Sequence, residues 1–538
     1  MKTKLLRGSL ILGLLLSLQS CDLTYFDGEI ESFSWDGALA APIGYVEYTV
    51  SELLEDTSSE DLEITNNDEG VITFVYTQQI ENQGFGDAIE IGDQSFLVDF
   101  ELPEEPFPLP IAVTETQEFS KEIYLAQFSD YNEELTGAYF DDGTIEITVS
   151  TNMTSASNIG VEIPTFKNVL DDSAISFSAS FDGTTNEDVV RVFQLEDYYG
   201  DFTVTNSGVP SFNTILLDIS AELIRAVGDQ FGPGTYFEFS ILLSGVQTTL
   251  IYGDFKTQTI SVEDTSLEFD AFDAFGDGEL VFAEPIITLS FDNSFGIPMG
   301  IDLSGLVAEN SSSSVRLSGP ITEEAQMIDA PAIGAEGTSV NTVIEINNTN
   351  SNIADLMSSK PTAFTMDVQV YTNPVDQDPN MNFMDGSSSI GGSVEVEIPM
   401  AVTFDNIPIE QVVDFDLGAD VDIIDEMKLN IQSVNTMPLS GSVEMVFLDE
   451  NGNELFTTTQ VEMFAAAPVG SDGRSSGSIE NQAELNLDKV QINLMAFARS
   501  VRIIAYLNTT SADTGQVVRL LDTDSLRIDL STLIKFGS

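Results

Sequence analysis

Short runs that alternate apolar and polar residues recur along most of this 538-residue chain. A period of two is the pattern of a strand with one face buried and the other wet. In GTIEITVS, Ile145, Ile147 and Val149 fall on one face, while Glu146, Thr148 and Ser150 fall on the other. TMDVQVY (Met366, Val368, Val370) and SVEVEIP (Val394, Val396, Ile398) repeat the arrangement. Such runs predict half-buried antiparallel strands. Turn-forming stretches such as Asn66-Asn67-Asp68-Glu69-Gly70 and Asp449-Glu450-Asn451-Gly452 lie between strand-like runs and predict hairpins. Helical patterns are few and short: SELLED after Val50, SAELIRAV at 220–227, SNIADLMS at 351–358 and the segment 492–499. The expected fold is mainly β, with tandem antiparallel β-sandwich domains of immunoglobulin-like size and a few short helices.

Internal repetition organises these strands. APAIGAEG (330–337) aligns with AAPVGSDG (466–473), matching Gly334 to Gly470 and Gly337 to Gly473. VQVYTN (368–373) aligns with IIAYLN (503–508) through Tyr371/Tyr506 and Asn373/Asn508, and SVEVEI (393–398) with SLRIDL (525–530). Upstream, PIITLSFDNSFGIP (285–298) aligns with MKLNIQSVNTMP (427–438) through Asn293/Asn435 and Pro298/Pro438. These blocks predict two copies of one β-sandwich module, at 284–425 and 426–538. A third copy, at 143–283, is suggested by ITVST (147–151) against ITLSF (287–291), although FTVTNSGVP (202–210) competes for the same alignment. Residues 21–142 do not fit the repeat and read as an N-terminal β-rich domain. This region holds Trp35 and the proline-rich ELPEEPFPLP (101–110), an extended spacer or edge segment because proline cannot donate to a central strand.

The chain opens MKTKLLRGSLILGLLLSLQSC, with cations at Lys2, Lys4 and Arg7, an apolar stretch from Leu10 to Leu18 and small polar residues before Cys21. This is the build of a signal peptide, residues 1–20, too short in its apolar part for the roughly 20 residues of a membrane span. Leu18-Gln19-Ser20-Cys21 resembles the lipobox of bacterial lipoproteins. That resemblance implies that Cys21 is acylated, carries the lipid attachment and becomes the first residue of the mature chain. Cys21 is also the only cysteine, so no disulfide can form within the chain. WDGALAAPIGYVEYTVSELLED followed by LEITNNDEGVITFVY resembles the opening of large, uncharacterised surface lipoproteins of Bacteroidota-type bacteria. This implies an outer-membrane address, with either the cell surface or the periplasmic face open. The N-terminal domain would stand near the membrane and the tandem modules would project the neutral C-terminal one outward.

Charge narrows the partners. Removing residues 1–20 leaves 15 Lys+Arg against 89 Asp+Glu, a net of −74. Such a field repels nucleic acid and anionic lipid head groups. From Arg474 onward, seven basic residues balance seven acids. This neutral C-terminal stretch reads either as a partner-facing surface or as local salt bridging.

The chain has no histidine, which removes the commonest general base and, with only one cysteine, the usual zinc ligands. Gly473-Arg474-Ser475-Ser476-Gly477 satisfies the nucleophile-elbow pattern, but that mechanism needs a histidine partner for the serine. No phosphate loop is present, so nucleotide binding has no support. No cofactor is expected beyond a calcium candidate. Asp273, Asp277, Gly278 and Glu284 occupy positions 1, 5, 6 and 12 of a calcium-loop template, with Phe275 at position 3 where an oxygen ligand belongs. The resulting expectation is a non-enzymatic, lipid-anchored binding or scaffolding protein. The alternatives are an accessory subunit of an outer-membrane β-barrel machine for export, assembly or uptake, and a surface carbohydrate hydrolase using a carboxylate pair.

Overall fold

A computed structural model describes residues 38–54, 62–84, 91–125, 133–184, 187–206, 209–268, 279–375, 380–415 and 423–536. It opens with strand β1 (Ala38–Thr49), helix α1 (Val50–Leu54), β2 (Ile72–Gly84) and β3 (Gln94–Glu101). A first module follows, with β4 (Val113–Tyr124), β5 (Glu134–Thr151), β6 (Ala156–Asn168), β7 (Ala174–Phe181), β8 (Val189–Gln194), β9 (Thr214–Arg225) and β10 (Tyr236–Asp254). The second comprises β11 (Thr259–Glu268), β12 (Ile286–Asn293), β13 (Met299–Asp302), β14 (Leu306–Glu309), β15 (Val340–Ile346), α2 (Ile353–Ser358), β16 (Ala363–Thr372) and β17 (Ser389–Pro399). The third comprises β18 (Ile407–Asp414), β19 (Ile424–Asn435), β20 (Leu439–Leu448), β21 (Ile479–Leu487), α3 (Lys489–Met495), β22 (Ser500–Thr509) and β23 (Ser525–Phe536).

The three modules share one antiparallel strand order. One sheet runs β8-β5-β10, β15-β12-β17 and β21-β19-β23 in turn. The other runs β4-β9-β6 and β18-β22-β20 in the first and third modules, and in the first Tyr198–Asp201 pairs both β5 and β6, joining the two runs into one sheet. In the second module it runs β11-β16, with β13 and β14 sharing the far side of β16. The edge strands β11 and β18 lie ahead of residues 284 and 426, where the sequence repeat begins, yet they pair into the module that follows.

Each first sheet takes one more strand from the N-terminal segment: β3 pairs β10, β2 pairs β17 and β1 pairs β23. Residues 38–101 are therefore a strap that visits the third module, then the second, then the first. Long strands need partners for every backbone N–H and C=O, and open sheet edges supply them. Neighbouring modules also share short sheets. The tail of β10 pairs Asn382–Asp385 of the second module, and Ala401–Asp405 pairs both Glu279–Phe282 and Val518–Arg519 of the third. The modules thus form a linear series, and Ala38 pairs Lys535 at its far end. The chain enters the array beside the C-terminal module, the reverse of the order expected from the sequence.

The period-two faces form the core. Ile145, Ile147, Val149, Phe239 and Ile241 are all fully buried, each such side chain contributing about 1.5–3 kcal/mol. The helical pattern at 220–227 is overturned: Ala221, Leu223 and Arg225 continue the buried alternation of Ile215, Leu217 and Ile219 in β9. Pairing on both sides, with β4 and β6, outweighs the helix propensity of Ala, Glu, Leu and Arg.

Two repeat-matched asparagines do the same work. Fully buried Asn293 accepts from Phe295 N–H at 2.9 Å and donates to the carbonyls of Ile297 and Asp329. Fully buried Asn435 accepts from Met437 N–H at 2.8 Å and donates to the carbonyls of Met437, Leu439 and Ala465. Each side chain closes an Asx turn at a strand end and ties it to the segment before the Gly-x-x-Gly loop. The later glycines of those loops, Gly337 and Gly473, share φ values of 76° and 78°. At Gly473 a Cβ would also lie 2.7 Å from the Val517 carbonyl oxygen.

Candidate functional site

A linear array has two free ends, and both carry exposed apolar side chains. At the first module's end the proline-rich segment lies against the 226–231 loop, through hydrogen bonds from Glu105 N–H to Phe231 O and from Leu109 N–H to Asp229 O. Arg225 fixes it. Its side chain is 2% exposed, donates from Nη1 to Glu105 Oε1 at 2.7 Å, also pairs Glu115, and lies 3.6 Å from the Phe231 ring centroid. The guanidinium holds the Glu105 carboxyl down to about 2. Phe107, Ile111 and Val227 are left exposed on this clamped loop pair.

At the third module's end, Asp488 caps α3 by accepting from Gln491 N–H, while Gln491 reaches back to Asp488 N–H. Ile492 and Met495 face inward and are buried, so Val490 and, just past the helix, Phe497 point outward. Lys489 donates to Ile424 O at 2.7 Å and lies 3.8 Å from Asp425, beside exposed Ile423. Arg499 donates to the carbonyls of Ala496 and Ala498.

Three of the seven basic residues that neutralise the C-terminal stretch turn toward the rest of the molecule. Arg474 pairs Glu69 of the strap hairpin at 2.7 Å, and Arg519 pairs Glu284 of the second module. Arg527 lies 3.8 Å from Glu47 of β1, is bonded to Asp529, and stacks over the Tyr45 ring. Between the strap and the third module, burial pushes Asp524 up to about 6. Its carboxylate accepts from Leu521 N–H, and its backbone carbonyl accepts from Val50 N–H.

Cys21, Asp273 and Asp277 lie outside the described residues, as do Phe275, Gly278 and Trp35. Glu284 is engaged with Arg519. Among the described residues no group of three or more His, Cys, Asp or Glu is arranged to hold a metal ion. Ser475 of the elbow-like motif donates to the Gly477 carbonyl in its own loop. Strand pairing brings together one carboxylate grouping that the sequence does not single out, of which SVEVEIP supplies Glu395 and Glu397. Glu395 and Glu345 flank Thr288 on the wet face of the second module, with Glu397 one row away beside Ile286 and Val75. Burial, Glu395 and Glu345 push the Glu397 pKa up. A shallow polar depression of about 310 Å³ in the third module is lined by Ser440, Ser442, Gln460, Glu462 and Asn508.

No family model and no curated protein matches the chain. Among solved structures, the chain is similar to a protein inferred to be secreted by Parabacteroides distasonis ATCC 8503. Identity is 10%, coverage is 93% of this chain and 100% of the other, and the TM-score is 0.30. The insecticidal delta-endotoxin Cry8Ea1 of Bacillus thuringiensis matches at 9% identity over 75% of this chain and 55% of the toxin, with a TM-score of 0.13. A protein inferred to be secreted by Eubacterium rectale matches at 10% identity over 64% of this chain and 96% of its own length, with a TM-score of 0.09. Likenesses at these scores carry no argument about fold or activity.

Proposed function

We propose that this chain is a lipoprotein of the bacterial outer membrane, held by acylated Cys21, that presents a stiff β-sandwich array for binding or scaffolding. The observation that carries the reading is the strap. One N-terminal segment contributes a strand to each of three like modules, so a tether at its start carries the whole array. Shared junction sheets between neighbours favour a rigid spacer over independently tumbling domains. The test is Cys21→Ser expressed in the native host. The expected outcome is loss of acyl labelling and release of the array from the membrane fraction. Retention of the variant in that fraction would refute the anchor. Mild-detergent purification of the unmodified protein then separates an accessory subunit, recovered with a stoichiometric β-barrel partner, from an independent binder.

A further inference from the structure

The lipid anchor proposed above leaves open which end of the array faces the membrane, and strand pairing answers that question. Cys21 is separated from Ala38 by residues 22–37, which span at most about 55 Å when fully extended. Ala38 pairs Lys535, Ile424 pairs Phe536, and β21 leads directly into α3, so these groups share the third module's free end. The first module's tip lies beyond the second module and the length of the first module's own strands, among them the 12-residue β9, about 40 Å long.

Side-chain chemistry at that free end points the same way. Val490 and Phe497 are 67% and 66% exposed, one in the first turn of α3 and the other just past its end, with exposed Ile423 beside the Ile424 that Lys489 bonds. Lys428, Lys489, Arg499 and Lys535 belong to the same end, together with Asp414, Asp425, Glu426, Asp449, Glu450, Glu484 and Asp488. Across the modules, residues 113–254 carry 4 Lys+Arg against 23 Asp+Glu, residues 259–405 carry 2 against 24, and residues 407–536 carry 8 against 20. The module beside the tether is the least anionic of the three, and the one that electrostatics penalises least beside lipid headgroups. Apolar groups flanked in sequence by the long stems of Lys489 and Arg499 suit the headgroup layer of a zwitterionic leaflet.

We propose that the free end of the third module is a membrane-contacting surface, with Val490 and Phe497 seated in the headgroup layer of a phospholipid leaflet and the first module's Phe107 loop held outermost. The proposal rests on the anchor at Cys21. Phe497→Trp and Phe107→Trp, each combined with Trp35→Phe, give acylated full-length proteins with one fluorophore apiece. Each is reconstituted into phosphatidylcholine vesicles with or without brominated acyl chains, and flotation establishes that it is bound. Quenching of F497W by the brominated lipid, with F107W emission unchanged, is the expected result. Co-flotation with F107W quenched, or with neither quenched, overturns the orientation while leaving the anchor standing. Failure to co-float overturns the anchor itself and this proposal with it.

Discussion

Replacing Asn435 tests whether the repeated asparagine is a structural keystone of its module. In Asn435→Ala the carbonyls of Leu439 and Ala465 and the N–H of Met437 lose bonds of 2.7, 2.7 and 2.8 Å. The Met437 carbonyl still accepts from Ala467 N–H at 3.0 Å and so keeps a partner. Unpaired buried groups cost about 1–3 kcal/mol each, and partial relaxation brings the expected total to about 3–5 kcal/mol. Asn435→Asp keeps the acceptor but turns a carboxylate oxygen toward those carbonyls, so near neutral pH it is at least as damaging. Its buried carboxyl has a folded pKa above the unfolded value of about 3.9. Stability of that variant is therefore greatest below that value and is lost as pH rises through the folded pKa. Urea unfolding measures the total, and hydrogen exchange read by mass spectrometry locates it. Protection should fall in peptides from β19 to β21 and be kept in β12 and β15. A loss under about 1 kcal/mol, or one spread evenly over all modules, would refute the reasoning.

Asp524→Asn should stabilise the protein by about 2–3 kcal/mol at pH 7, because the folded carboxyl sits near 6 and each tenfold gain in proton affinity over the unfolded chain is worth about 1.4 kcal/mol. In the unmodified protein the stabilising protonated form is fully present below the unfolded value and is lost as pH rises through about 6. The variant's advantage should thus vanish at about pH 4, and melting curves showing an equal advantage at both pH values would sink the idea. Arg225→Ala should loosen the proline-rich loop by about 1–3 kcal/mol, because the buried guanidinium and its charged hydrogen bonds to the half-exposed Glu105 carboxylate are lost. Limited proteolysis should then cut within 103–112, and a cleavage pattern matching the unmodified protein would count against the clamp. Deleting residues 38–101 uncovers a sheet edge in each module, and size-exclusion chromatography should show self-association; a monomer with unchanged circular dichroism would show that the strap is dispensable.

Alternation and turn chemistry are local properties, and they made the β class legible in the chain alone. Residues Ile145, Ile147 and Val149 needed no partner to be named as one face of a strand. Asn293 and Asn435, or Gly337 and Gly473, stood out as equivalent because the same backbone demand, a closed strand end or a positive φ, selects the same residue in each copy. The first module was fainter for a matching reason. There Asn152 accepts from Tyr236 N–H and donates to the Gly234 carbonyl, so a different neighbourhood replaces the shared signature.

A mainly β, acidic, repeated chain with one cysteine behind an export-like segment is legible without coordinates, because period, charge and composition are properties of neighbours along the chain. Packing between distant segments is what makes β1 close the last module, β9 a strand despite its helix-forming residues, and Arg225 the clamp on the proline-rich loop. Those outcomes depend on which sheet edge lies open when a distant segment arrives. Backbone hydrogen bonds are chemically alike at every edge, so the strap's path is set by the assembled array.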